Sequence, residues 1–184
     1  LVTGGMHIDG YADYSDVIGS HRTGEYAVKI LKDPRRGTFA IVSIALNLFL
    51  SSSSIYILLQ KTPTYIHLLR LIPIYILSAE VMYVTAYLGI EEPYDGLGRK
   101  FVACAKIPSS LFKNILTFLI VYLLPSILIN MGILALAIEA LIMLSIAAIT
   151  TLDSRKRLGF INGDVLGFSY ELTRLVCMVI ISCI

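Results

Sequence analysis

Residues 114–152 carry almost no charge, with Glu139 as the single charged side chain in 39 positions. An α-helix rises about 1.5 Å per residue, so about 20 residues cross the roughly 30 Å hydrocarbon core of a bilayer. The stretch is therefore too long for one crossing and long enough for two. Asn130 to Gly132 lie in its middle and are typical of a turn. The sequence predicts a transmembrane helical hairpin over about residues 111–129 and 131–152.

Three further stretches have the length and apolarity of membrane spans. Residues 38–60 carry no charge in 23 positions, residues 71–90 carry Glu80, and residues 165–184 carry a Glu and an Arg. The serines at 51–54 inside the first of these spans are expected to assist helix packing. In the last span, Glu171 and Arg174 can pair with each other, which lowers the cost of placing either charge in the bilayer.

Composition supports the same class of protein. Of all residues 57% are hydrophobic and 15% are charged, against about 45–50% and about 25% in a typical soluble domain. We predict an all-α integral membrane protein with about five transmembrane helices, forming a single polytopic domain over residues 1–184. A cytoplasmic segment, residues 1–37, precedes the first span in this interpretation and carries an acidic helical motif.

Charge and cysteine content exclude other classes. The 15 Lys and Arg residues barely exceed the 13 Asp and Glu residues, so no nucleic-acid partner is expected. A chain this apolar is not disordered. The three cysteines have neither C-x-x-C spacing nor an even count, which argues against a disulfide framework or a zinc site.

The distribution of basic residues predicts which loops share one side of the membrane. Segments 1–37, 91–113 and 153–164 together hold 12 of the 15 Lys and Arg residues. Because basic residues concentrate in cytoplasmic loops, these three segments should be cytoplasmic. The motifs with chemical potential also lie in them.

The first motif is an acidic cluster within residues 4–19, GGMHIDGYADYSDVIG. Asp9, Asp13 and Asp16 are spaced i, i+4 and i+7, which places them within an arc of roughly 60° on one face of a helix. Carboxylates this close repel one another, and hard oxygen ligands suit Mg²⁺ or another divalent cation. His7 precedes the cluster, and Gly10 leaves room for a ligand near the backbone. A solvated polar face is the alternative.

The second motif, KILKDPRRGTFA at residues 29–40, combines three cations with Asp33 and Gly37. Lys32, Arg35 and Arg36 could neutralise phosphate charge beside a divalent cation, as phosphoryl-transfer chemistry requires. A membrane anchor of the positive-inside kind is the alternative explanation of the charges. Further along the chain, Asp164 forms part of a turn before the last span, as a site residue or as the N-cap of that helix.

These motifs resemble those of cobalamin synthase, the adenosylcobinamide-GDP ribazoletransferase family. The family's first block is matched at nine positions: Thr3, Gly4, Gly5, His7, Asp9, Gly10, Ala12, Asp13 and Asp16. Its second block is matched at Lys32, Asp33, Gly37 and Phe39. Its C-terminal block is matched at Gly163, Asp164, Leu166, Gly167 and Glu171, with Asn162 where the family usually has Thr. Since the first residue is Leu1 and not Met, and the first block follows almost at once, we expect the chain to begin inside a longer reading frame.

The resemblance implies a Mg²⁺-dependent multi-pass transferase of a prokaryotic cell membrane, with the acidic motif on the cytoplasmic side. Its substrates would be adenosylcobinamide-GDP and α-ribazole or α-ribazole 5′-phosphate, and its products adenosylcobalamin or its 5′-phosphate and GMP. Asp9, Asp13 and Asp16 would be catalytic and, with Asp33, would bind the metal. Contacts to the substrates would come from seven residues: His7, Gly10, Lys32, Arg35, Arg36, Gly37 and Asp164. The sequence leaves the oligomeric state open.

Two other functions fit parts of the pattern. A CDP-alcohol phosphotransferase of lipid synthesis also uses metal-bound aspartates at a membrane surface, but its Asp-Gly-x-x-Ala-Arg core is matched only in part here. A divalent-cation transporter would place carboxylates inside the spans, where Glu80, Glu139 and Glu171 lie. Ion flux without nucleotide turnover would favour the transporter.

Overall fold

The computed structural model describes residues 5–61 and 64–183. Thr3 and Gly4 of the first motif lie outside these ranges. Within them the chain forms nine helices in this order: α1 Met6–Ser20, α2 Glu25–Leu31, α3 Thr38–Gln60, α4 Thr64–Leu69, α5 Leu71–Leu88, α6 Leu97–Ala105, α7 Pro108–Leu128, α8 Ile133–Arg157 and α9 Gly163–Cys183.

Five helical segments are long and apolar enough to cross a membrane, as the sequence predicts. They are Thr38–Gln60, His67–Leu88, Pro108–Leu128, Ile133–Arg157 and Gly163–Cys183. The first has the predicted bounds, and the second includes the end of the short helix α4. The predicted all-α membrane class is therefore confirmed.

The predicted hairpin is formed by α7 and α8. The left-handed backbone of Asn130, with φ 52°, reverses the chain two residues after α7 ends. Asn is one of the few residues other than Gly that adopt this conformation readily. Pro108 begins α7 at a position where its missing N–H is not needed.

Helix α9 lies at the centre of the bundle and packs against α1, α3, α5 and α8. In contrast, α7 exposes most of its length. Large apolar side chains on its outer surface, such as Phe112 and Leu124, are exposed. A lipid environment accounts for such a surface, because apolar side chains facing acyl chains carry no penalty.

The crossing of α1 and α9 depends on two glycines. A Cβ added to Gly10 would lie 2.8 Å from the Cα of Asp164, and one added to Gly167 would lie 2.9 Å from the carbonyl oxygen of His7. Only glycine lets the two backbones approach this closely. On the same interface, the ring of Phe168 packs against Tyr11 and Tyr14, with centroids 5.4 and 5.1 Å apart.

The three basic segments meet at one end of the bundle. Gly24 donates a backbone hydrogen bond of 2.7 Å to Arg157, and Ile161 donates one of 2.8 Å to Ile90. The hydroxyl of Tyr14 on α1 donates to the carboxylate of Asp153 at 2.8 Å. These contacts place α1, α2 and the ends of α5, α8 and α9 together, with the acidic motif among them.

The predicted pairing of Glu171 with Arg174 is present inside the bundle, at 2.7 Å. Arg174 also donates to the side-chain oxygens of Asn47 at 2.6 Å and Ser51 at 3.1 Å on α3. Ser51 therefore contributes to helix packing, as expected. The other acidic side chains in the spans also have partners: Glu80 accepts from Asn114 and Glu139 accepts from Tyr122.

Candidate active site

Asp9 and Asp13 form the exposed part of the acidic cluster, and one guanidinium bridges them. They lie one turn apart on α1, and the two terminal nitrogens of Arg36 form ion pairs with one carboxylate each. The side chain of Asp9 is 59% exposed and that of Asp13 is 17% exposed. The carboxylate pair is therefore open to solvent on the Asp9 side and already holds one cationic group.

Asp16 lies on the same face of α1 but contacts backbone. Its two carboxylate oxygens accept hydrogen bonds from the N–H groups of Gly37 at 2.7 Å and Ala40 at 2.8 Å. These N–H groups belong to the start of α3, where backbone donors lack partners within the helix. A negative charge at this position also interacts favourably with the helix dipole. Asp16 thus caps the first membrane span from a different helix.

Gly37 is required by this cap. A Cβ at Gly37 would lie 2.6–2.9 Å from the carboxylate atoms of Asp16. The close approach of Asp16 explains why position 37 is a glycine. The substrate contact at Gly37 stays a prediction. Sequence spacing could not reveal the cap, because acceptor and donors are more than 20 positions apart.

Asp164 lies opposite α1, in the first turn of α9. The side-chain oxygen of Asn162 accepts from the N–H of Val165 at 3.1 Å, so Asn162 and not Asp164 caps α9. The amide of Asn162 then donates to Asp164 at 2.8 Å. The N-cap alternative for Asp164 is therefore wrong. Its carboxylate is half-buried, within the electrostatic influence of Asp9 and Arg36.

The remaining charges of the second motif have other partners. Arg35 forms an ion pair of 2.8 Å with Asp33, and hydrogen bonds from Arg35 hold the pKa of that carboxyl at about 2. The ammonium of Lys32 lies 4.1 Å from the ring centroid of Tyr94, a cation–π arrangement. The structure thus brings Arg36 to the aspartates. It directs Asp33, Arg35 and Lys32 to neighbouring surface, and the metal role of Asp33 stays a prediction.

His7 packs beside the cluster, where its ring stacks on Tyr170 with centroids 4.3 Å apart. Burial lowers the pKa of His7 below its usual value of 6.5, and the nearby carboxylate of Glu171 partly opposes that shift. The neutral ring is therefore favoured near neutral pH. Stacking on Tyr170 holds the ring in place, and His7 and Asp9 line the same cleft.

A cleft of about 610 Å³ opens next to Asp9 and Asp164. Its walls come from α1, α5, α6 and the start of α9: Met6, His7, Asp9, Met82, Leu97, Gly98, Lys100, Phe101, Gly163, Asp164 and Leu166. The sequence interpretation of residues 91–101 is a charged connector that could also contact the nucleotide, and it names no site residue on α5. The alternation of apolar and charged residues in LGRKFVACA is the signal that could have revealed an amphipathic helix there.

The donor set fits a hard cation without forming a closed metal centre. Within residues 5–61 and 64–183, no group of three or more His, Cys, Asp or Glu side chains is arranged to hold a metal ion. The Arg36 guanidinium lies between Asp9 and Asp13, which shows that this carboxylate pair accommodates positive charge. A divalent cation held by Asp9 and Asp13, with Asp164 facing them, would replace that guanidinium.

Helical spans with an aspartate cluster and a cleft at one end define a polytopic membrane protein. The family model described as cobalamin-5-phosphate synthase matches residues 1–182. The chain belongs to that family. Membership sets aside the CDP-alcohol phosphotransferase and the cation transporter as alternatives.

Relatives named adenosylcobinamide-GDP ribazoletransferase match most of the chain. The protein of Clostridium botulinum strain Alaska E43 is 29% identical over 178 residues, covering 96% of this chain and 67% of the relative. That of Clostridioides difficile strain 630 is 28% identical over 184 residues, covering 98% and 70%. That of Stutzerimonas stutzeri is 30% identical over 188 residues, covering 97% and 68%. No solved structure matches the chain.

Proposed function

We propose that this protein joins adenosylcobinamide-GDP to α-ribazole or its 5′-phosphate, yielding adenosylcobalamin or its 5′-phosphate and GMP. The observation that carries the proposal is the arrangement of Asp9, Asp13 and Arg36 on one side of the α1–α9 crossing with Asp164 on the other. Both sides border the same cleft. Family membership and the names of the relatives point to the same reaction.

In this reaction a ribose hydroxyl attacks the phosphorus linked to cobinamide. A new P–O bond forms, the bond to the oxygen of GMP breaks, and the hydroxyl proton is transferred to a base. Asp9 and Asp164 are the carboxylates that line the cleft and can receive this proton. Arg36 is the cation nearest to the carboxylates and can neutralise charge on the departing phosphate.

Asp9 and Asp13 are the residues that would hold Mg²⁺, with Asp164 facing them. A bound Mg²⁺ would supply charge neutralisation at the diphosphate. When the cation is bound, Arg36 is free to contact the diphosphate, so the same guanidinium can alternate between carboxylates and substrate. The capping bonds of Asp16 support a role in holding α1 against α3, beside its proposed catalytic and metal-binding roles.

We also propose that the site lies on the cytoplasmic side of the cell membrane. The three segments that meet there hold 12 of the 15 basic residues, the distribution expected of cytoplasmic loops. Both substrates are charged or polar metabolites, and a cytoplasmic site would give them access without crossing the bilayer.

The test is turnover by the protein expressed from its full reading frame in membranes, with Mg²⁺, adenosylcobinamide-GDP and α-ribazole. GMP release and corrinoid product should appear together and stop when a chelator removes Mg²⁺. The Asp13→Asn variant should lower both by about 100-fold or more, while Phe112→Ala on the exposed face of α7 should leave them unchanged. A folded, membrane-inserted protein that forms no product would overturn the proposal.

A further inference from the structure

We propose that the cleft between α1, α6 and α9 seats the heteroaromatic base of the ribazole acceptor. In this position the ribose of the acceptor faces Asp9 and Asp164, while the corrinoid donor stays outside the cleft. This inference rests on the proposed function and assigns a binding site to one of its two substrates. It also gives α6 a role, since α6 supplies much of the cleft wall.

The size of the cleft favours the acceptor. At about 610 Å³, it falls within the range of roughly 300–1,000 Å³ that is typical of pockets for small organic ligands. A bicyclic base with its ribose fits that volume. A corrin ring with its amide side chains, adenosyl ligand and GDP is several times larger and would not enter. The two substrates therefore differ in their ability to occupy this space.

The lining favours a flat apolar group. Met82, Phe101 and Leu166 form apolar walls from three different helices, and Met6 and Leu97 extend them outward. Phe101 is 39% exposed and Leu97 is 82% exposed, so these side chains are available to a ligand. Methionine side chains adapt to aromatic rings and contact them favourably. A diphosphate would gain little from such walls.

The polar groups of the cleft lie where a ribose would follow the base. Asp9 and Asp164 border the cleft from the two sides of the helix crossing, and His7 also belongs to its lining. Carboxylates accept hydrogen bonds from hydroxyl groups. A base among the apolar walls would thus place its ribose hydroxyls beside the carboxylates and near Arg36.

The cleft is bounded by backbone where α6 meets the start of α9. A Cβ at Gly98 would lie 2.7 Å from the backbone nitrogen of Gly163 and 2.8 Å from Glu92. The absence of a side chain at Gly98 lets α6 approach the start of α9 closely, which closes one side of the cleft. A base that enters therefore meets a wall of backbone on this side of the cleft.

The experiment measures the KM of each substrate separately in the full-length protein in membranes. The Phe101→Ala variant should raise the KM for α-ribazole by about tenfold, the loss that corresponds to about 1.4 kcal/mol. The KM for adenosylcobinamide-GDP should stay unchanged. Phe112→Ala is the matched control, because it removes the same side chain from the exposed surface of α7 and should alter neither value.

A second measurement does not depend on turnover. Binding of radiolabelled α-ribazole to purified protein, without the corrinoid substrate, should weaken in Phe101→Ala and in Met82→Ala. Acceptors with and without methyl groups on the base should also be discriminated less well by Phe101→Ala, because the variant pocket is larger.

Three results would overturn the proposal. The first is a raised KM for the corrinoid substrate with an unchanged KM for α-ribazole. The second is an unaltered acceptor affinity together with loss of a copurified lipid from Phe101→Ala, which would assign the cleft to an acyl chain. The third is acceptor binding that is unchanged in both Phe101→Ala and Met82→Ala although the wild-type protein forms product. A wild-type protein without transferase activity would instead contradict the proposed function, while the binding measurement would still test the cleft.

Discussion

Asp13 and Asp16 share one face of α1 but have different partners. Asp13 pairs with the side chain of Arg36, whereas both oxygens of Asp16 accept backbone hydrogen bonds at the start of α3. The same residue type at neighbouring positions can therefore contribute to charge handling in one case and to helix capping in the other. Substitution separates the two contributions.

For Asp16, we expect a loss of stability to accompany any loss of activity. Asp16→Ala removes the acceptors at the start of α3 and should lower the free energy of unfolding by about 0.5–2 kcal/mol. Asp16→Asn keeps one acceptor oxygen and should recover part of this. Thermal unfolding in detergent beside turnover measures both, with Asp13→Asn as the matched variant that should lose turnover at nearly unchanged stability. Asp16→Asn with full stability and the activity loss of Asp13→Asn would contradict the capping role.

In the proposed site, Arg36 would compete with a cation for Asp9 and Asp13. Arg36→Gln removes the positive charge between these carboxylates, so Mg²⁺ should activate the enzyme at lower concentration than in the wild type. Because the same guanidinium would neutralise phosphate, maximal turnover should fall by about 100-fold. Turnover measured over a Mg²⁺ series gives both values. An activating Mg²⁺ concentration that rises in Arg36→Gln would contradict the competition.

The geometry of the candidate residues was predictable where neighbours in sequence are neighbours in space, whereas their roles stay predictions. The helical spacing of Asp9 and Asp13 predicts a shared face, and Arg36 meets them there. Nothing in that spacing identifies Asn162 as the cap of α9, since Asn and Asp are both good N-cap residues. Arg35 and Asp33 are two positions apart and form an ion pair with each other. Their charges are therefore paired locally and not with residues of α1.

At the level of helices, the site depends on how closely α1 and α9 approach. Gly10→Ala would place a Cβ 2.8 Å from the Asp164 backbone, so the helices must separate. We expect the free energy of unfolding to fall by about 1–3 kcal/mol and turnover to fall with it, since Asp164 would move away from Asp9. Gly132→Ala is the control, because no atom of the described residues lies within 4 Å of a Cβ at Gly132. Thermal unfolding and turnover of both variants test this prediction. Wild-type stability and turnover in Gly10→Ala would argue against close packing of α1 and α9.

The polar contacts between α3 and α9 should be cooperative. Arg174→Met leaves the buried carboxylate of Glu171 without its cation and should cost about 3–5 kcal/mol. Combining it with Glu171→Gln removes the uncompensated charge and should restore much of the stability. Detergent unfolding of both single variants and the double variant measures this coupling. Additive losses would show that Glu171 and Arg174 do not depend on each other.

The long helices were predictable because hydrophobic length alone identifies them. The bounds of α3 agree with the uncharged stretch from 38 to 60, and the turn at Asn130 marks the hairpin. Shorter helices were not predicted: α6 has only nine residues, with charged and apolar side chains mixed. Its position against α5 and α9 follows from tertiary packing at Gly98, which no local pattern encodes.

For the whole molecule, the orientation in the membrane can be measured with its own cysteines. Cys104 is exposed at the end of the bundle that carries the acidic motif, and Cys183 is exposed at the far end of α9. In single-cysteine variants, a membrane-impermeant maleimide should label Cys104 in inverted vesicles and Cys183 in intact cells. The two variants control for each other. The reverse labelling would contradict a cytoplasmic site.

The cap that Asp16 provides for α3 connects the proposed site to a helix that faces lipid. Helix α3 faces outward with exposed side chains such as Leu46 and Phe49, so its tilt responds to bilayer thickness. Because Asp16 is fixed to the first turn of this helix, a tilt of α3 is transmitted to α1 and to the carboxylates on its exposed face. The acyl-chain length of the host membrane should therefore affect the positions of the carboxylates in the proposed reaction centre.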